Sequence, residues 1–88
     1  MLNIEFTKAI KKDLKKYQRQ REVLLALHKV IDILAKKHPL PSKNRDHNLA
    51  GNWAHHRECH VKNDILLIYK IDANVLFLTR FGSHSELF

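Results

Sequence analysis

The chain is 88 residues long, 44% hydrophobic and 28% charged, with only two Gly and two Pro. That composition reads as one compact globular domain over residues 1–88 and excludes fibrous, low-complexity and disordered classes. Sixteen Lys/Arg against nine Asp/Glu give a net charge of +7, which points to a polyanionic partner. One cysteine, Cys59, excludes an internal disulfide and suits a reducing cytoplasm. The longest apolar run, Ile65–Tyr69, is far too short to span a bilayer, and the N-terminus lacks a leader-like apolar stretch.

In chain order, residues 2–7 alternate Leu2, Ile4, Phe6 with Asn3, Glu5, Thr7, the period of a half-buried strand. From Lys8 the period becomes helical. Ile10, Leu14 and Tyr17 mark one face, while Lys8, Lys11, Lys12, Lys15, Lys16 and Arg19 fill the other beside a lone Asp13. A second helix, about 22–37, presents Val23, Leu24, Leu27, Val30, Ile31 and Leu34 on one stripe and ends at His38-Pro39. Leu25 projects on its polar side, a candidate partner contact. Polar residues 18–21 join the two helices into a hairpin.

Residues 38–52 lack periodicity and read as a loop. Three strands follow, roughly 54–61, 65–71 and 75–81, separated by turns at Lys62-Asn63-Asp64 and Asp72-Ala73-Asn74. The last two are apolar on both faces, as central strands are. The tail from Gly82 is too short to count as another element. The expected fold is α+β: an antiparallel sheet packed against an N-terminal helical hairpin, in the order β-α-α-β-β-β.

The stretch HHRECHVKND at 55–64 raises a metal question. On a helix, His56 and His60 would pair at i, i+4. On a strand they lie about 13 Å apart, too far for one zinc ion, and no second Cys supplies a structural site. Cys59 then shares the opposite face with His55, Arg57 and Val61, toward the helices. The strand instead puts Glu58 and His60 on one face, about 7 Å apart. Arg80 interrupts an apolar run on the last strand, and His84 follows Gly82. A carboxylate, an arginine and two histidines suffice to cleave RNA through its own 2′-hydroxyl. Such chemistry needs no cofactor, because the nucleophile belongs to the substrate. The residues alone also permit solvated surface histidines and an arginine that caps a sheet edge. Trp53 suits packing, and Asp46 and Asp64 suit turns.

Three motifs add to this: D-H-x-L-x-G-x-W at Asp46–Trp53, R-E-C-H-V-x-x-D-I-L-L-I-Y at Arg57–Tyr69, and R-F-G-S-H-S-E-L-F at Arg80–Phe88. Together they resemble the YafQ branch of the RelE/ParE toxin superfamily. The resemblance implies a RelE-like fold and a type II toxin: an endoribonuclease that cuts mRNA in the ribosomal A site and is silenced by a cognate antitoxin. Carried over residue by residue, it implies a site of His47, Glu58, His60, Asp64, Arg80, His84 and Phe88. His84 would be the general acid and Arg80 the phosphate holder. His60 is the first choice as base, with Asp64 and Glu58 as rivals. His47 would position the RNA backbone and Phe88 would stack on a base. The stripe of Lys8, Lys11, Lys12, Lys15 and Arg19 would meet ribosomal phosphate or an acidic antitoxin segment. A free toxin of this kind is expected to be monomeric and cytoplasmic. Ile65 stands where some members of the branch carry Trp, which touches codon preference rather than chemistry. The competing readings are a ParE-like gyrase poison, which has no use for His60, Arg80 and His84, and a non-catalytic basic RNA-binding module.

Overall fold

The computed structural model describes all residues from Met1 to Phe88. In chain order it contains β1 (Asn3–Phe6), α1 (Lys8–Lys15), α2 (Arg21–Ala35), β2 (His47–Asn48), β3 (Arg57–Lys62), β4 (Ile65–Asp72), β5 (Val75–Ser83) and α3 (His84–Leu87). Single 3₁₀ turns lie at Ser42–Asn44 and Gly51–Trp53. The strands form one sheet in the order β1-β5-β4-β3-β2. The α+β class and the β3-β4-β5 meander agree with the sequence reading, but the sheet is mixed. β1 runs parallel to β5. No turn connects these two strands, so their relative direction follows from how the helices return the chain. β1 alone could not reveal it.

Thr7 caps α1, its Oγ1 accepting from the Ile10 N–H at 3.1 Å. Ile10 and Tyr17 are buried as expected, and α2 buries Val23, Leu27, Val30, Ile31, Leu34 and Ala35. The second helix ends two residues before the expected 37. Lys37 turns left-handed at φ 61°, its N–H bonds Leu34 O, and the His38 N–H bonds Ile33 O. This paired C-terminal closure stops the helix before Pro39 is reached.

Helices and sheet enclose the main core. Cys59, Val61, Leu67, Tyr69, Leu76, Leu78 and Phe81 face Ile10, Leu27, Ile31 and Leu34 there. The expected half-burial of the first strand fails in part. Leu2 is buried, but Ile4 and Phe6 stay 38% and 41% exposed. β1 is an outer strand, whereas the helices pack on β5 and β3.

The opposite face carries a second cluster: Leu66, Ile68 and Leu87, flanked by Leu49 and Trp53. The tail therefore does form an element, α3, which covers part of this face. A four-residue helix is too short to show a period. Its signal was the capping box, in which Ser83 Oγ accepts from the Glu86 N–H while Glu86 Oε1 accepts from the Ser83 N–H. No helix is long and apolar enough to cross a membrane.

Candidate active site

Side chains on a strand alternate between faces, so Leu76, Leu78 and Arg80 would ordinarily share one. They do not. The β4–β5 register slips between Ile68 and Tyr69, pairing Ile68 with Arg80 and Tyr69 with Leu78. Thr79 is the extra residue of this β-bulge, which sends Leu78 into the core and Arg80 to the opposite face. Bulges commonly re-aim a side chain in this way. Thr7 Oγ1 donates to the Thr79 carbonyl at 2.8 Å, tying the bulge down.

The register then builds two rows across the open face. One row runs His47, Glu58, Ile68, Arg80, and the next runs His60, Leu66, Gly82. Adjacent strands lie about 4.8 Å apart, so His60 and Gly82 face each other across about 10 Å, a span that long side chains close over one nucleotide step. Asp64, in the β3–β4 turn, and His84, at the start of α3, lie at the adjoining end. Their Oδ1 and Nδ1 are 3.8 Å apart. The His84 ring also packs against the exposed Phe88 at 5.4 Å between centroids.

Each group has a defined partner. His47 Nδ1 lies 2.7 Å from the Arg45 carbonyl, which can only accept, so that nitrogen carries a proton. Nε2 then meets Glu58 Oε1 at 3.5 Å. Glu58 is only 3% exposed and sits beneath His47. Arg80 is gripped by Asp13, with Nε donating to Oδ2 at 2.7 Å and Nη2 to Oδ1 at 3.1 Å. These bonds raise the guanidinium pKa further. His60 is half-buried, and its carbonyl accepts from Asn44 Nδ2 at 2.7 Å. It lines a depression of about 460 Å³ together with Lys43, Arg45 and Lys62.

The structure thus gathers His47, Glu58, His60, Asp64, Arg80, His84 and Phe88 on and around one face. It does not bring the α1 stripe there. Lys8, Lys11, Lys12 and Lys15 are exposed on α1 and Arg19 in the turn after it; α1 packs on β5. Only its C-terminal end reaches the site, through Asp13 to Arg80, Tyr17 to Glu86 (2.5 Å) and Lys16 to Glu86 (3.6 Å). Asp13 does not belong to that stripe. It is 5% exposed on the inward face, one residue before Leu14. An acid inside an apolar stripe implies a cationic partner, a signal present in the sequence itself. Asn44 and Arg45, which hold His60 and His47, gave no sequence signal, because nothing in a loop marks which carbonyl or strand it meets.

His55 and His56 precede β3 and are not part of it, since His55 adopts φ 69°. The strand-face assignment of His55 is therefore wrong. The His56 ring packs edge-on against Trp53 at 5.5 Å. Cys59 does face the helices, and burial pushes its thiol up to about 12. No three His, Cys, Asp or Glu side chains converge as a metal site would require; His47 with Glu58 and Asp64 with His84 each offer two donors.

A small mixed sheet backed by two helices carries an arginine, imidazoles and carboxylates on its open face, groups that can give or take protons and hold an anion. The family model described as a bacterial toxin of type II toxin-antitoxin systems, YafQ, matches residues 2–88. The chain belongs to that family. It is similar to the mRNA interferase toxin YafQ of Escherichia coli K12, at 34% identity over 98% of this chain and 95% of that protein. Among solved structures, a metal-bound toxin from Helicobacter pylori is 49% identical with a TM-score of 0.91, both chains being covered in full. YafQ in the E. coli DinJ-YafQ complex is 32% identical with a TM-score of 0.88, covering 100% of this chain and 99% of that one. The chain is a toxin of a type II toxin–antitoxin system.

Proposed function

We propose that this toxin is an mRNA interferase: an endoribonuclease that cuts messages on the ribosome by turning the RNA's own 2′-hydroxyl against the neighbouring phosphate. The observation that carries it is the bulged β5 register, which puts Arg80 on the His60 face, with the Asp64–His84 pair at its end. His60 takes the 2′-hydroxyl proton as the oxygen attacks phosphorus. Arg80 holds the phosphate oxygens as charge builds on the phosphorane. His84, kept near Asp64, gives its proton to the departing 5′-oxygen. The products are a 2′,3′-cyclic phosphate and a 5′-hydroxyl, and no metal is required by the scheme. Of the three candidate bases, Glu58 is covered by His47 and Asp64 faces His84, which leaves His60. His47 then positions the RNA backbone and Phe88 offers a stacking face.

The basic α1 face, free of acids, supplies salt-dependent attraction to ribosomal phosphate. A cognate antitoxin holds the toxin silent, as suits a chain resembling the partner of DinJ. The test is transcript-end mapping after induction without antitoxin, with and without translation of the same message. Frame-dependent cuts that need translation are expected. His84→Ala should lose about 10²–10⁴ in rate and keep its fold. Arg80→Ala should also lose cleavage but melt at a lower temperature, since it leaves the buried Asp13 carboxylate without its cation. A 2′-deoxy nucleotide at the cut should block the reaction. Wild-type cleavage by His84→Ala, or products bearing a 5′-phosphate, would refute the mechanism.

A further inference from the structure

Asp13 is the acid on the inward face of α1, between Ile10 and Tyr17. A carboxylate so buried is costly unless its charge and lone pairs are satisfied. Three N–H groups satisfy it, all from β5: Arg80 Nε at 2.7 Å, Arg80 Nη2 at 3.1 Å and the Phe81 backbone at 3.0 Å. We propose that Asp13 is the positioning residue for Arg80, fixing the plane and direction of the guanidinium before RNA arrives. The inference rests on the reading of Arg80 as the phosphate holder.

The geometry divides the guanidinium in two. Asp13 occupies Nε and one side of Nη2, leaving Nη1 and the outer N–H of Nη2. That remaining edge is the fork that matches two phosphate oxygens. The Arg80 side chain is 29% exposed while that of Asp13 is 7% exposed, so the anchored edge is dry and the free edge meets solvent.

The carboxylate has its own reference point. β1 pairs with β5 only as far as Leu78, and beyond it the β5 edge is completed by side chains. Thr7 bonds the Thr79 carbonyl, Asp13 the Phe81 N–H and Glu86 the Ser83 N–H. Asp13 is therefore registered to the backbone next to the residue it orients.

Electrostatics separates this role from simple attraction of substrate. A negative charge beside Arg80 weakens its pull on phosphate. A device meant only to bind RNA more tightly would leave it out. What Asp13 adds is direction, which counts where reacting groups must be held in one geometry. Its effect therefore belongs in kcat more than in KM.

The test is a double-mutant cycle with Asp13→Asn, Arg80→Ala and both together. Single-turnover cleavage of ribosome-bound message and thermal melts are measured for each. Asparagine keeps an oxygen for the Phe81 N–H but loses the charged grip. Asp13→Asn should lower kcat by about 10²-fold with KM nearly unchanged, and should add no loss in the Arg80→Ala background. Wild-type kcat in Asp13→Asn, or an equal loss with and without Arg80, would overturn the proposal, the second outcome marking a purely structural ion pair. If Asp13→Asn fails to fold, Asp13→Glu takes its place in the same cycle. It keeps the charge but displaces the fork, and is judged by the same two outcomes. Wild-type cleavage by Arg80→Ala alone would sink the reading of Arg80 itself, a failure distinct from that of Asp13.

Discussion

Replacing Tyr17 by Phe removes a single hydroxyl from the junction between α1 and α3. The ring is retained, and with it the edge contact to Phe81 at 5.2 Å and 72°. What is lost is the bond from Tyr17 Oη to Glu86 Oε1 at 2.5 Å. A hydrogen bond to a charged group is worth about 1.5–3 kcal/mol. The Glu86 side chain is 34% exposed and keeps the Ser83 N–H and Lys16, so solvent screening lowers the expected loss to about 1 kcal/mol. For a domain of this size that is a melting-temperature drop of about 4–8 °C.

The pH dependence of that loss is specific. The Ser83 N–H and the Tyr17 hydroxyl lower the Glu86 carboxyl from 4.5 to about 2. A depressed carboxyl contributes stability that is full above 4.5 and is lost as pH falls through about 2. Burial, then the bond to Glu86, raises Tyr17 from 10.0 to about 12. That contribution is full below 10 and is lost as pH rises through about 12. Urea melts of wild type and Tyr17→Phe across pH should therefore show a gap that is widest from about pH 5 to 9 and closes at both ends. An equal stability of the two proteins at pH 7, or a gap that survives undiminished at the alkaline end, would refute the reasoning. Since α3 begins at His84 and is closed by Phe88, cleavage should fall alongside stability.

Two further predictions concern the sheet. Ala73 sits in the two-residue β4–β5 turn at φ 54°, followed by Asn74 at φ 104°, a left-handed conformation that Asn adopts more readily than Ala because its amide can bond the local backbone. Ala73→Asn should stabilise the protein by about 0.5–1 kcal/mol, read as a raised melting temperature; a lowered one would count against the turn geometry. Cys59 is fully buried, and its thiol is raised to about 12. A thiol reagent at pH 8 should therefore react only as fast as the protein opens, and rapidly once denatured. Prompt reaction in the folded state would show that β3 does not face the helices at that position.

Much of the molecule was legible from local pattern. The 3.6-residue period gave α1 and α2, and apolar runs between turn residues gave β3, β4 and β5. Residues spaced two apart on β3 told that Glu58 and His60 share a face with Cys59 opposite. The motifs at Asp46–Trp53, Arg57–Tyr69 and Arg80–Phe88 pointed to the toxin family and to its candidate site residues. Where the pattern was short or carried by one residue, it misled. The tail hid α3, although Ser83 and Glu86 stand at capping-box spacing. Asp13 looks like one more solvated charge on a basic helix, and only its burial against β5 sets it apart from the lysines.

What the chain's own letters determined is therefore its elements, its excess of positive charge and a set of candidate acid, base and anion-holding groups. Tertiary structure alone decided how those groups meet. It laid β1 parallel to β5, seated Glu58 beneath His47, and sank Asp13 against Arg80. Above all it placed a bulge at Thr79, without which Arg80 would have followed Leu76 and Leu78 into the core. Periodicity is a property of neighbours in sequence, whereas register, strand direction and burial depend on contacts between residues as far apart as Asp13 and Arg80.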